Sequence, residues 1–171
     1  MKIVLIGYMG SGKSTIGKLL AKELKCRFLD LDDVLENNLG TSISELFKTK
    51  GEVFFRNKEH HFLNELLTED SNFILSTGGG TPCYSGNMDS MLQYADAVFY
   101  LKVSIPGLIE RLIPEKEHRP LIKDIANEDL PEFIGKHLFE RNNFYLKANH
   151  IVECDNKSPQ HIADEIIGLL G

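Results

Sequence analysis

The stretch Gly7–Leu20, GYMGSGKSTIGKLL, follows directly on the apolar run Lys2-Ile3-Val4-Leu5-Ile6. Its spacing is G-x-x-x-x-G-K-S, with Gly7, Gly12, Lys13 and Ser14 in the fixed places. A buried strand, a glycine-rich turn and a helix in that order predict a phosphate-binding P-loop. Gly10 and Gly12 let the chain turn tightly, so the N–H groups around Ser11 point inward as an anion nest. Lys13 would reach the β- and γ-phosphates of a nucleotide, and Ser14, followed by Thr15, would offer its hydroxyl to Mg²⁺. The following helix sets its positive end behind the phosphates. A turn that merely links strand to helix would need all these residues to coincide by chance. The motif predicts nucleotide binding and leaves the reaction open.

Working outward, short apolar runs recur between helical stretches: Ile3–Ile6, Phe28–Leu31, Phe73–Leu75, Ala97–Leu101 and, more weakly, Ile151–Val152. Such alternation predicts an α/β domain built on a mostly parallel sheet. Ile16, Leu19, Leu20 and Leu24 form a helical stripe. Ile43, Leu46 and Phe47 mark a short helix that Gly51 would end, and a longer one follows to Leu67. Glu128–Lys147 is a further helical stretch, with a kink expected near Gly135. Ser158-Pro159 looks like the N-cap and first turn of the last helix. Between Leu112 and Ala126 the segment LIPEKEHRPLIKDIA is charged, proline-punctuated and weakly periodic, which suggests a mobile lid.

The 171 residues fit one domain, 1–171. A net charge of −6 argues against a broad nucleic-acid or anionic-membrane surface, so an anionic substrate must be met by individually placed arginines. No stretch approaches the roughly 20 apolar residues of a membrane span. The first strand runs straight into the P-loop, so no cleavable signal is expected. Cys26, Cys83 and Cys154 are odd in number and widely spaced, as expected of buried thiols in a reducing compartment. His60 and His61 are adjacent and would point in different directions on a helix, in solvated or packing roles.

Four constellations could carry chemistry. FLDLDD ends the second strand, where alternation would project Asp30 and Asp32 to one side and turn Asp33 away to cap the next helix. Ligands of open α/β sheets bind beyond the carboxyl ends of the strands, so one carboxylate would sit near Mg²⁺ and one on an acceptor hydroxyl. In GEVFFRNKE, Arg56 and Glu59 share a helix face. Glu59 would hold the guanidinium toward a substrate carboxylate, which arginine grips with two parallel hydrogen bonds. In STGGGTP, Gly78, Gly79 and Gly80 offer bare main chain for a ligand to lie against. Arg119 sits in the lid segment and Arg141 on the helix beyond it, and a positive charge arriving on a lid would neutralise a migrating phosphoryl group.

These residues, taken in order, resemble the shikimate kinases. GSGKST, FLDLDD, GTSISELF, GEVFFRNKE, STGGGTP, HRPL and RNNFYLKA all occur in that family's sequence order, from Gly7 to about Ile167. The resemblance implies transfer of the γ-phosphate of ATP to the 3-hydroxyl of shikimate, on the route to chorismate and the aromatic amino acids. By position it implies that Lys13 holds the phosphates, that Ser14 ligates Mg²⁺ with Asp30 assisting through water, and that Asp32 meets the reacting hydroxyl. Arg56 and Arg141 would grip the substrate carboxylate, with Gly78, Gly79 and Gly80 beside the ring and Phe47 and Phe55 around the pocket. Arg119 would be the lid arginine. The loop CDNKSP carries no arginine, so the adenine is expected between Arg111 and the backbone around Asn156–Pro159. The implied fold is a three-layer P-loop kinase: a five-stranded parallel sheet ordered 2-3-1-4-5, a substrate-binding segment at about 32–60 and a lid at about 112–126. A cytoplasmic monomer acting on two small molecules is expected. Gluconate kinase, an adenylate-kinase-like nucleotide kinase and a P-loop binding module without turnover are the competing readings.

Overall fold

The computed structural model describes residues 1–171. Five strands, β1 (Lys2–Ile6), β2 (Arg27–Asp30), β3 (Phe73–Ser76), β4 (Ala97–Lys102) and β5 (His150–Glu153), form one sheet in the order β2-β3-β1-β4-β5. Every pairing is parallel, with Ile3 opposite Ile74 on one side and Ala97 on the other. The order and the parallel sense agree with the expectation. So does the weakest of the runs, which is the edge strand β5.

Seven α-helices cover the sheet: α1 (Lys13–Glu23), α2 (Leu31–Leu39), α3 (Ile43–Thr68), α4 (Asn87–Tyr94), α5 (Ile105–Leu112), α6 (Leu130–Tyr145) and α7 (Pro159–Leu169). The central strand decides how they divide. Its residues alternate between faces, so Ile3 and Leu5 enter one core with Ile16, Leu20, Leu108 and Ile162 of α1, α5 and α7. Val4 and Ile6 enter a second core with Leu35, Leu63 and Met91 of α2, α3 and α4. Both faces of β1 are therefore dry, which is why it reads as an unbroken apolar run.

Local signals account for most boundaries. Gly51 stands at φ 84°, ψ 173° and breaks α3 into the short and long helices expected from the sequence. Ser158 accepts a hydrogen bond from His161 N at 3.1 Å and so caps α7, with Pro159 in its first turn. Two expectations need correction. No break occurs at Gly135, which lies within α6, and α6 itself runs only over Leu130–Tyr145, behind a 3₁₀ turn at Asn127–Asp129. The strand of FLDLDD stops at Asp30, so Asp32 is already in the first turn of α2.

Segment 112–126 begins with a 3₁₀ helix, Ile113–His118, and continues through turns in which Ile122 N and Lys123 N donate to Arg119 O. Ile122 is fully buried in the core that also holds Leu112 and Leu130, so the segment is pinned near its middle.

Candidate active site

Two cavities open side by side beyond the carboxyl ends of β1, β2 and β3. The larger, about 590 Å³, is lined by the P-loop, Asp30, Asp32, Arg111, Arg119 and Lys157. The smaller, about 310 Å³, is lined by Phe47, Phe55, Arg56, Glu59, Gly80 and Arg141. Asp32, Gly78, Gly79, Met9 and Arg119 belong to both walls. The two spaces therefore meet at a carboxylate and a guanidinium.

The P-loop is built as its spacing requires. Gly10 and Gly12 take φ values of 79° and 94°, which place them in the left-handed region that glycine enters without steric cost. Gly12 is the N-cap of α1, so the positive end of that helix faces the larger cavity. Lys13 Nζ donates to Gly7 O at 2.8 Å and Tyr8 O at 3.0 Å, folded over its own loop. It must leave these carbonyls to reach a phosphate. Burial lowers its pKa to about 8, against the opposing pull of Asp32 and Asp30.

Ser14 Oγ donates to Asp30 Oδ2 at 3.1 Å, while Asp30 Oδ1 accepts from Asp32 N at 3.0 Å. Asp30 thus caps α2, the role expected of Asp33; Asp33 instead lies exposed in the first turn. Asp30 and Asp32 do face one cavity, but the helix cap rather than strand alternation brings Asp32 there. Burial raises the pKa of Asp32 to about 6, with Asp30 and Glu59 adding to the shift and Lys13 opposing it. The Ser14–Asp30 pair presents hard oxygen donors, the chemistry Mg²⁺ takes when phosphates and water complete its shell.

In the smaller cavity Arg56 donates from Nη1 to Glu59 Oε1 at 2.8 Å. This is no surface pair: Glu59 is 1% exposed and Arg56 16%. The guanidinium carbon of Arg56 lies 4.0 Å from the ring centre of Tyr84 and 5.1 Å from that of Phe55. Phe55 packs on Phe47 at 4.6 Å between centroids. Arg141 lies over Tyr8, 5.6 Å from its ring centre, and makes no ion pair.

Gly78, Gly79 and Gly80 form the wall between these groups. None takes a positive φ, so what they supply is space. A Cβ on Gly80 would stand 2.8 Å from Arg56 Nη2, and one on Gly79 would stand 3.0 Å from Arg141 Nη1. The hydroxyl of Tyr145 donates to Gly79 O at 2.5 Å, fixing the wall from α6.

Arg119 lies between the cavities, paired with Glu115 at 2.6 Å one helical turn back. Arg111 donates to Gly10 O at 3.3 Å and Ser11 O at 3.2 Å, holding α5 against the P-loop. Lys157 and Pro159 line the far end of the larger cavity, Lys157 paired with Glu165 at 2.7 Å. Of the three free thiols only Cys154 is fully buried; Cys26 and Cys83 are half-buried. Tyr8, Thr81 and Tyr145 fall inside quoted stretches and Tyr84 outside them, but the role of none was legible from the sequence, since each acts through a contact with a distant element.

The family model for shikimate kinase matches residues 9–170. A shikimate kinase of Flavobacterium psychrophilum is 48% identical over 170 residues, covering 99% of this chain and 98% of the relative. The crystal structure of shikimate kinase from Bacteroides thetaiotaomicron superposes with a TM-score of 0.92 at 34% identity, covering 99% of this chain and 98% of that one. Shikimate kinase from Acinetobacter baumannii in complex with shikimate gives a TM-score of 0.88 at 32% identity, covering 99% and 92%. A deoxyadenosine kinase of M. mycoides, 19% identical with a TM-score of 0.63, shares the fold alone. A P-loop cavity joined to an arginine-walled pocket, and a match along nearly the whole chain, lead to one conclusion: the chain belongs to the shikimate kinase family.

Proposed function

We propose that this protein transfers the γ-phosphoryl group of ATP to the 3-hydroxyl of shikimate, giving ADP and shikimate 3-phosphate in aromatic amino acid biosynthesis. The observation that carries the reading is the meeting of the two cavities at Asp32 and Arg119, with a pair of arginines closing the smaller one. ATP takes the larger cavity, its phosphates on the nest and Lys13 and its adenine toward Arg111 and the 156–159 backbone. Shikimate takes the smaller, its carboxylate between Arg56 and Arg141 and its ring between the glycine wall and the Phe47–Phe55 pair.

Asp32 accepts the hydrogen bond of the 3-hydroxyl and aims its oxygen at the γ-phosphorus. As the new P–O bond forms, the bond to the β-phosphate oxygen breaks and the hydroxyl proton passes to Asp32. Lys13 and Arg119 stabilise the charge spread over the migrating group. Ser14 and Asp30 are the residues that would hold Mg²⁺, which supplies further charge neutralisation when bound. The reading has the enzyme acting as a cytoplasmic monomer on small molecules, in keeping with its −6 charge and its free thiols. No helix is long and apolar enough to cross a membrane.

A coupled ADP-release assay with shikimate, gluconate and AMP offered in turn decides the acceptor. Turnover with shikimate alone is the expected result. Faster turnover with gluconate or AMP, or none with any acceptor, would remove the reading.

The lid role of segment 112–126 makes a separate prediction. Arg119 must exchange Glu115 for phosphate oxygens, whereas Ile122 is already anchored in the core. Hydrogen exchange at 113–121 should slow markedly between the apo and ternary forms, with a smaller change at 122–125. Equal, strong protection of 113–121 in both states would leave Arg119 without a route to the phosphates.

A further inference from the structure

Thr81 stands near the end of the STGGGTP stretch without a role of its own there and Asn87 lies outside every motif that marks the site, yet both side chains are fully buried. Thr81 opens the 3₁₀ turn directly after the glycine wall, and its hydroxyl donates to Glu59 Oε2 at 2.8 Å. The other oxygen of that carboxylate accepts from Arg56. Asn87, at the start of α4, donates from Nδ2 to Thr81 O at 3.0 Å. Its Oδ1 lies 2.7 Å from Nδ1 of His60, the residue next to Glu59 on α3. Asn64 Nδ2 in turn donates to His60 O at 2.7 Å.

The chemistry fixes every direction in this circuit. A carbonyl oxygen can only accept, so the amide nitrogen of Asn87 faces Thr81 and its oxygen faces His60. That oxygen also only accepts, so His60 carries its hydrogen on Nδ1. The circuit leaves α3 at Glu59, crosses the glycine loop and the start of α4, and returns to α3 at His60. His60 therefore has a specific partner, beyond the general solvated or packing role expected from its position beside His61.

We propose that Thr81, Asn87 and His60 are positioning residues for carboxylate recognition, locking Glu59 and, through it, the guanidinium of Arg56. The inference rests on the reading of Arg56 as part of the carboxylate grip. A carboxylate held at one oxygen can rotate, and its arginine partner moves with it. Glu59 is held at both oxygens, one on the arginine and one on the loop that forms the substrate wall. Since Gly80 packs directly against Arg56 Nη2, the wall and the guanidinium keep a fixed spacing only while Thr81 stays tied to Glu59. None of the three residues needs to touch substrate.

Buried polar groups that are merely satisfied would look similar, so the test needs a readout that filler would not move. Thr81→Val keeps the shape and removes only the donor. It is expected to raise the shikimate KM roughly tenfold, as befits loss of one hydrogen bond to a charged group. Turnover at saturation and ATP affinity should stay near wild type. The preference for shikimate over its methyl ester should shrink by the same factor, and Thr81→Ser should restore both. In ¹⁵N spectra the Arg56 guanidinium should rotate faster in Thr81→Val than in wild type. A variant that matches wild type in KM, ester discrimination and guanidinium rotation overturns the proposal. So does one that loses ATP and shikimate affinity alike, because that marks a structural filler. If the wild type turns over no shikimate, the functional reading fails, and the rotation measurement alone decides the circuit. Should Thr81→Val not fold, His60→Leu, at a half-buried position, cuts the far end of the circuit and carries the same readouts.

Discussion

Asp32→Asn should lower turnover by roughly 10²-fold or more, the range expected for removing a positioned base, while leaving ATP binding largely intact. A shikimate hydroxyl is a poor nucleophile at neutral pH, and a loose phosphoryl transition state asks chiefly that it be aimed in line. Asp32, the carboxylate proposed to do the aiming, stands where the two cavities join. Burial lifts its pKa to about 6, which leaves it mostly ionised at pH 7 and strengthens it as a proton acceptor. Asparagine keeps the size and one acceptor but loses the charge and the basicity. Lys13, Ser14 and the N–H nest are untouched, so nucleotide affinity measured without acceptor should change little. Asp33→Asn is the control, because Asp33 is exposed in the first turn of α2 and faces neither cavity. Near-normal turnover in a folded Asp32→Asn protein at saturating substrates would place the acceptor hydroxyl beside another residue.

The contrast between Asp30, Asp32 and Asp33 also shows what a sequence of this kind reveals. The strands, the P-loop and the glycine wall were legible because each is encoded locally, by an apolar period or by glycines at fixed offsets, whereas the strand order came only through the family resemblance. The three aspartates are also local, but two local rules compete there. Strand alternation and helix capping both place Asp30 and Asp32 on the cavity of the P-loop, by different routes. Capping wins because Asp30 Oδ1 satisfies an N–H at the start of α2 that would otherwise lack a partner. The roles of the tyrosines were not legible at all. Tyr8, Tyr84 and Tyr145 have no distinguishing spacing, and their value comes from packing against arginines and main chain brought from elsewhere. Glu59 lies between these cases. Its spacing from Arg56 is visible in the sequence, but that the pair is buried depends on Thr81 and the wall, 22 residues further on.

That burial separates the two arginines in a way that a shared role in carboxylate binding would hide. Arg56→Ala and Arg141→Ala should each cost roughly 2–5 kcal/mol of shikimate affinity, since each leaves a desolvated carboxylate partly unpaired. ATP affinity measured without shikimate should hardly move in either. Their effects on the fold should differ. Arg56 neutralises Glu59, which is 1% exposed, and removing it strands a buried charge with only the Thr81 hydroxyl for company. Breaking such a pair typically costs about 3–5 kcal/mol of stability, so Arg56→Ala should melt well below wild type. Arg141 makes no ion pair and rests on the face of Tyr8, so its loss removes packing and a cation–π contact worth about 0.5–2 kcal/mol. Arg141→Ala should therefore lose shikimate while keeping most of its stability. Arg56→Lys offers a finer separation. It keeps a charge beside Glu59 but loses the planar fork, so stability should largely return while the two-bond grip on the carboxylate does not. Denaturant melts alongside shikimate and ATP titrations on the three variants measure all of this. Equal destabilisation of the two alanine variants, or a loss of ATP affinity matching the loss of shikimate, would mean that the arginines support the fold rather than recognise a carboxylate.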